Sequence, residues 1–197
     1  TSVWDLTSAK EIASMNPRMI KIPSATNNNI ELLNWLAQNY NGDIHISTGM
    51  TTKNEIDEVV KLFEKNSRAK DLVIYSCTSG YPVPFDNVAL LEILNLKEKY
   101  SSVVKAIGFS GHHLGIAIDI SAYTLGAEYI ERHYTLDRTW KGTDHSASLE
   151  PEGLRKLVRD LKATHESLTY KEKEILDIEQ WRRTSRSLLG TMRVVAV

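Results

Sequence analysis

Five short apolar runs, each separated from the next by a longer amphipathic stretch, constrain this chain more than any other feature. The runs are MIKIPS at 19–24, DIHIST at 43–48, DLVIYSC at 71–77, VKAIGFS at 104–110 and EYIERHY at 128–134. Between them, Ile30, Leu33, Ala37 and Tyr40 follow helical spacing, as do Ile56, Val59, Val60 and Phe63, and then Val88, Leu91 and Leu94. A shorter amphipathic piece at Ile116, Ile120 and Tyr123 follows the fourth run, and Leu154, Leu157, Val158 and Leu161 mark a helix after the fifth. This alternation is the signature of βα units around a parallel sheet. Thr1 to Asp5 reads as the end of an earlier strand, with a helix near Ala9 to Met15.

The strand spacing suits a doubly wound sheet or a (β/α)8 TIM barrel, and the polar residues choose between them. Each run ends in a polar cluster: Lys21 and Ser24, Ser47 and Thr48, Thr78 and Ser79, Ser110 and His112, Glu131 and His133. A doubly wound sheet gathers its ligand groups at one crevice, whereas a barrel collects them from the carboxyl ends of many strands. The expected fold is therefore an α/β TIM barrel. Since a complete barrel takes about 250 residues, the chain is expected to be its later portion, about strands 4 to 8, occupying 1–168. Residues 169–197 change character and read as a tail or a truncated linker. There, Arg182, Arg183 and Arg186 are either an exposed surface or an anion site. A partial barrel exposes unpaired strand edges, so oligomerisation, aggregation or further N-terminal residues are expected.

Composition narrows the function. With 24 Lys plus Arg against 25 Asp plus Glu in 197 residues, there is no basic excess to attract nucleic acid. No apolar run approaches the roughly 18 residues of a membrane span. The single cysteine, Cys77, excludes an internal disulfide framework and a multi-thiolate zinc site. The first residues lack the features of a secretory signal, and Thr1 is not an initiating Met. A cytoplasmic location is the expectation.

Three groups of residues carry chemistry. Alternation along the fifth strand puts Glu131 and His133 on one face and Arg132 on the other. If that face is the barrel interior, His133 and His112 come from neighbouring strands and can share one divalent ion with open coordination positions. The competing reading makes them core histidines held by backbone hydrogen bonds. Lys21, Ser24, Ser47, Ser79 and Ser110 sit at or just beyond strand ends, where one ammonium and several hydroxyls suit phosphate or carboxylate oxygens. Lysine in an apolar strand is costly unless paired or functional. Singly, the serines are also ordinary turn formers. The long polar loop 135–151 has the character of a lid or binding loop, with Asp144 placed for a sugar hydroxyl and Trp140 for covering a pocket or packing. Pro151 suits the first position of the last helix. His113, His145 and His165 have weaker claims, and His45 is left unassigned.

Taken together, IKIPSATNNN at 20–29, ISTGM at 46–50, CTSGYP at 77–82, GFSGHHLG at 108–115 and LGAEYIERHYTLDRTWKGTDHSASLEP at 125–151 closely resemble the sialic acid synthase family, up to about Leu168. The resemblance implies condensation of phosphoenolpyruvate with N-acetylmannosamine or a related amino sugar, giving sialic acid or another nonulosonic acid and phosphate. It implies His112 and His133 as metal ligands, with manganese first and magnesium or cobalt as alternatives. Lys21, Ser24, Ser47, Ser79 and Ser110 then hold phosphoenolpyruvate, Tyr81 and Asp144 lie near the sugar, and Glu131 is the carboxylate beside the metal. Glu131, His133 and Asp144 are the expected catalytic residues. Where relatives often carry Asn, this chain has Ser79. The family's glutamate after the first strand, its lysine on the second strand and its C-terminal antifreeze-like domain fall outside the sequence. That domain lends an arginine to a partner subunit in many relatives, which implies a homodimer for the full-length enzyme. The alternatives are another phosphoenolpyruvate-dependent sugar acid synthase and a catalytically silent fragment that binds sugar or phosphate.

Overall fold

A computed structural model describes residues 1–180 and 182. Arg183 and Arg186 of the arginine cluster therefore lie outside the described residues. Contacts divide the chain into two units, Thr1–Lys162 and Ala163–Val197. The second carries exposed ion pairs, Lys171 with Glu179 at 3.0 Å and Lys173 with Asp177 at 2.7 Å.

In the first unit, β1 (Met19–Ile22), β2 (Asp43–Ser47), β3 (Leu72–Cys77), β4 (Ala106–Gly111) and β5 (Tyr129–Arg132) form one sheet in sequential order, and every pair is parallel. The helices are α1 (Leu6–Ser14), α2 (Ile30–Asn39), α3 (Lys53–Lys65), α4 (Glu92–Tyr100), α5 (Ala117–Thr124) and α6 (Pro151–Ser167). Strand order without reversal is the barrel pattern, since a doubly wound sheet needs a switch point. Ser2 also bridges Lys21 in parallel, so the expected strand end at Thr1 to Asp5 is present as a single bridge beside β1.

Local signals explain the helix starts. Asp5 caps α1 in a reciprocal box with Ser8, Asn29 accepts from the Leu32 amide, and Thr52 and Glu55 form the box that opens α3. On one face of the sheet, Ile20, Ile22, Ile44, Ile46, Leu72, Ile74, Ile107 and Phe109 are buried against the helices. Packed on them are Leu32, Leu33 and Leu36 of α2, Phe63 of α3 and Ile93 of α4. The other face carries Lys21, His45, Ser47, Val73, Tyr75, Ala106, Ser110, Tyr129 and Glu131, as the period of two requires.

The sheet is strongly curled. Lys21 of β1 and Glu131 of β5 pair at 2.9 Å, although the four strand spacings between them would amount to about 19 Å in a flat sheet. His45 of β2 likewise meets the Tyr129 ring of β5 at a centroid distance of 5.0 Å. The inner face thus closes on itself, as in part of a barrel wall.

Several helix positions depart from the apolar spacing. The left-handed backbone of Ala89, at φ 51°, interrupts the chain after Val88, so α4 begins only at Glu92. It buries Ile93, Leu96 and Tyr100, leaving Leu91 and Leu94 exposed. In α5 the buried residues are Asp119 and Ala122 in place of the expected Ile116, Ile120 and Tyr123 stripe. α6 starts at Pro151 as expected but buries only Leu157, while Leu154 and Val158 are exposed. His45 faces inward with Ser47 and is buried.

Candidate active site

A cavity of about 580 Å³ opens at the carboxyl ends of the strands. Its walls include all ten residues singled out in the sequence: Lys21, Ser24, Ser47, Ser79, Tyr81, Ser110, His112, Glu131, His133 and Asp144. Lys21, Ser47, Ser110 and Glu131 are delivered by the same alternation that buries the other face of their strands against the helices, and the other six lie just beyond strand ends or in the loops. Ser2, Trp4, Met50 and Thr143 also contribute, and no sequence pattern marks them for this role.

Two halves are distinct. On the imidazole side, the rings of His112 and His133 lie perpendicular with centroids 5.0 Å apart. His112 Nδ1 donates to the Thr78 carbonyl at 2.9 Å, which leaves Nε2 with the lone pair. His133 Nδ1 is 3.4 Å from Asp144 Oδ2. Burial pushes both imidazoles below the usual histidine range, and for His133 the neighbouring His112 adds to the effect. Tyr81 covers both rings, at 4.6 Å from His112 and 5.4 Å from His133, and its own phenol is pushed up by burial.

Opposite them, Lys21 pairs with Glu131 beside a row of hydroxyls. Ser47 Oγ and Ser79 Oγ are buried without a hydrogen-bond partner. Buried polar atoms normally have one, so these two hydroxyls are free to bond to a group that enters the cavity. Ser24 Oγ accepts from the Gly49 amide at 3.1 Å, and Asn27 Nδ2 donates to the Ser47 carbonyl at 2.8 Å, fixing the loop after β1 against the end of β2. Gly49 suits this closeness, because a β-carbon there would run into Ser79 Oγ and lie 2.7 Å from Ser24 Oγ, displacing both hydroxyls.

The residues fit a divalent ion in a particular sense. Neutral imidazoles with one nitrogen oriented by a second partner are the usual form of metal-binding histidine. Among the described residues there is no cluster of three or more His, Cys, Asp or Glu side chains able to hold an ion. His112 and His133 are the two imidazoles of the cavity that could contribute to such a site. Trp140 does not line the cavity; it is exposed and packs edge-on against His145 at 5.8 Å.

Behind β5, with no forewarning in the sequence, Arg132, His113 and Asp119 form a buried polar cluster. The alternation placed Arg132 on the outer face, and burial of Asp119 in α5 is the sign that a cation must lie beside it.

A parallel βα sheet curled around a polar cavity at its strand ends, with paired imidazoles on one side and a lysine with serine hydroxyls on the other, has the character of part of a barrel wall with a site at its carboxyl end. The NeuB family matches residues 1–173, and the chain belongs to this sialic acid synthase family. It is 38% identical over 156 residues to the N-acetylneuraminate-9-phosphate synthase of Drosophila melanogaster, an alignment covering 79% of this chain and 41% of that protein. It is 35% identical over 166 residues to the N,N'-diacetyllegionaminic acid synthase of Campylobacter jejuni, covering 84% and 48%. The crystal structure of the N-acetylneuraminic acid synthetase of Leptospira borgpetersenii superposes with a TM-score of 0.80 at 32% identity, covering 95% of this chain and 64% of that one. The chain thus spans less than half the length of these two curated relatives. Among the described residues no helix is long and apolar enough to cross a membrane.

Proposed function

We propose that this chain forms the substrate-binding wall of a metal-dependent synthase that joins phosphoenolpyruvate to an amino sugar, yielding a nonulosonic acid and phosphate. The observation that carries the reading is the convergence of two neutral imidazoles and a lysine with unpartnered serine hydroxyls on one cavity. The names of two relatives, N-acetylneuraminate-9-phosphate synthase and N,N'-diacetyllegionaminic acid synthase, support it.

His112 and His133 would hold a manganese or magnesium ion, which when bound supplies Lewis acidity toward a sugar aldehyde. Lys21, Ser24, Ser47, Ser79 and Ser110 bind and orient the phosphate and carboxylate of phosphoenolpyruvate, so that its carbon 3 faces the aldehyde. The new carbon–carbon bond forms there, water adds at carbon 2, and phosphate departs from the tetrahedral intermediate. Fixed hydroxyls and the Lys21 ammonium stabilise the negative charge on that intermediate. Asp144 orients His133 and lies within reach of a sugar hydroxyl, Tyr81 excludes water from above the imidazoles, and Glu131 pairs with the Lys21 ammonium, for which the incoming anion competes.

The test uses the chain in its full reading frame, incubated with phosphoenolpyruvate, manganese and N-acetylmannosamine. Thiobarbituric acid detection should report the keto acid product together with one phosphate per product. Absence of product from a preparation whose manganese binding is verified by electron paramagnetic resonance overturns the reading. Parallel trials with the 6-phosphate and with deoxy diacetamido sugars assign the acceptor.

A further inference from the structure

Arg132 points away from the cavity, and its side chain is only 2% exposed. Its guanidinium contacts four residues in three chain segments. Nη1 donates to Asp119 Oδ2 of α5 at 2.6 Å and to the Gly115 carbonyl at 2.8 Å. Nη2 donates to the His113 carbonyl at 2.7 Å and to the Ala147 carbonyl at 3.3 Å. The His113 ring, buried alongside, presents Nε2 at 3.1 Å.

A simple buried ion pair needs only Asp119. The remaining bonds go to backbone oxygens in the two loops that carry the imidazole side of the site. His113 directly follows His112. The turn containing Ala147 closes on Asp144, since the Ala147 amide donates to the Asp144 carbonyl at 3.1 Å and Ser148 Oγ donates to the same oxygen at 2.8 Å. Arg132 itself lies between Glu131 and His133 in sequence. A planar fork with rigidly spaced donors suits such multiple fixing in a way that a flexible ammonium does not.

We propose that Arg132 is a positioning residue, a clamp behind β5 that sets His112, His133 and Asp144 relative to one another. The inference rests on the functional reading above for what those residues bind. The anion side has its own tethers, Asn27 to Ser47 and Gly49 to Ser24, so the clamp governs one half of the cavity only.

The experiment compares wild type with Arg132→Met, Arg132→Lys and the double variant Arg132→Met with Asp119→Asn, which leaves no stranded carboxylate if the single change fails to fold. Hydrogen exchange on metal-free protein is measured first. Faster exchange confined to 112–116 and 144–148, with 24–27 and 47–49 unchanged, is the expected result. Manganese affinity, read by electron paramagnetic resonance, should then fall at least tenfold in the Met variants and less in Arg132→Lys. Affinity for inorganic phosphate, read by calorimetry, should stay within twofold. Unchanged exchange in the two loops, or equal weakening of both ligands, overturns the clamp. A wild-type chain that binds no manganese sinks the functional reading alone, and the exchange pattern still decides the clamp.

Discussion

Lys21 and Glu131 neutralise each other at 2.9 Å with side chains 14% and 27% exposed, so each restrains the other from a different partner. An incoming phosphate must compete with that carboxylate for the ammonium. Replacing Glu131 by Gln removes the competitor and a like charge near the phosphate, and the pair is worth on the order of 1 kcal/mol in such a setting. Inorganic phosphate should therefore bind roughly three- to tenfold more tightly to Glu131→Gln than to wild type in calorimetry, and Lys21→Met should abolish binding. Weaker binding to Glu131→Gln would show instead that the carboxylate orders the cradle. A second outcome concerns the imidazoles: His112→Ala and His133→Ala should each lower manganese affinity by at least about tenfold, by analogy with the loss of any one ligand from a site with few. At this scale the sequence was most informative where polar residues break apolar strands, as at Lys21, Glu131 and His133. It said little about Arg132 and Asp119, because outward-facing charged residues near a helix usually reach solvent, and only three-dimensional packing shows that these do not.

The strands were legible because a parallel strand buried on its helix face leaves an unbroken run of β-branched and aromatic residues there. Ile44, Ile46, Ile74 and Ile107 make that face, and Ile107 is 1% exposed in the centre of it. Ile107→Ala should cost about 2–5 kcal/mol, measured as a lower urea midpoint with unchanged slope. Helix α4 was poorly legible, since Leu91 and Leu94 are as apolar as Ile93 and Leu96, and which stripe is buried depends on where Ala89 turns the chain. The inner face of β2 and β3 carries a further consequence. His45 donates to or accepts from the Tyr75 hydroxyl at 2.7 Å, its Nε2 has no partner, and burial pushes its pKa down to about 4. In the unfolded chain the same imidazole titrates near 6.5. Between these values the unfolded state binds more protons, so stability rises with pH through the window and is lost on acidification, by up to about 3 kcal/mol for this residue. Urea midpoints should fall from pH 7 to pH 4.5, and His45→Gln should fall less over the same range. Parallel curves for the two proteins would place the acid sensitivity on His112 and His133 instead, which are shifted in the same direction.

In the unit Thr1–Lys162, the cavity is lined from β1, β2, β4 and β5 and from loops that follow the strands, including the one after β3, so an occupant of the cavity would join segments that are otherwise linked only by strand pairing and the helix layer. An anion held by Lys21 of β1, Ser47 of β2, Ser79 after β3 and Ser110 of β4 would span most of the curl. If these residues were no more than polar turn formers, phosphate would leave the unit's melting temperature unchanged. If they form one cradle, phosphate at about a hundredfold its dissociation constant stabilises the folded form by about 2.7 kcal/mol. For a unit of this size that corresponds to a rise of roughly 5–10 °C in Tm. The rise should vanish in Lys21→Met, which keeps the helix-face core intact, and should be retained in His133→Ala, whose loss falls on the imidazole side. A rise that survives in Lys21→Met would mean that phosphate acts elsewhere on the surface, and the single-cradle account of the strand ends would fail with it.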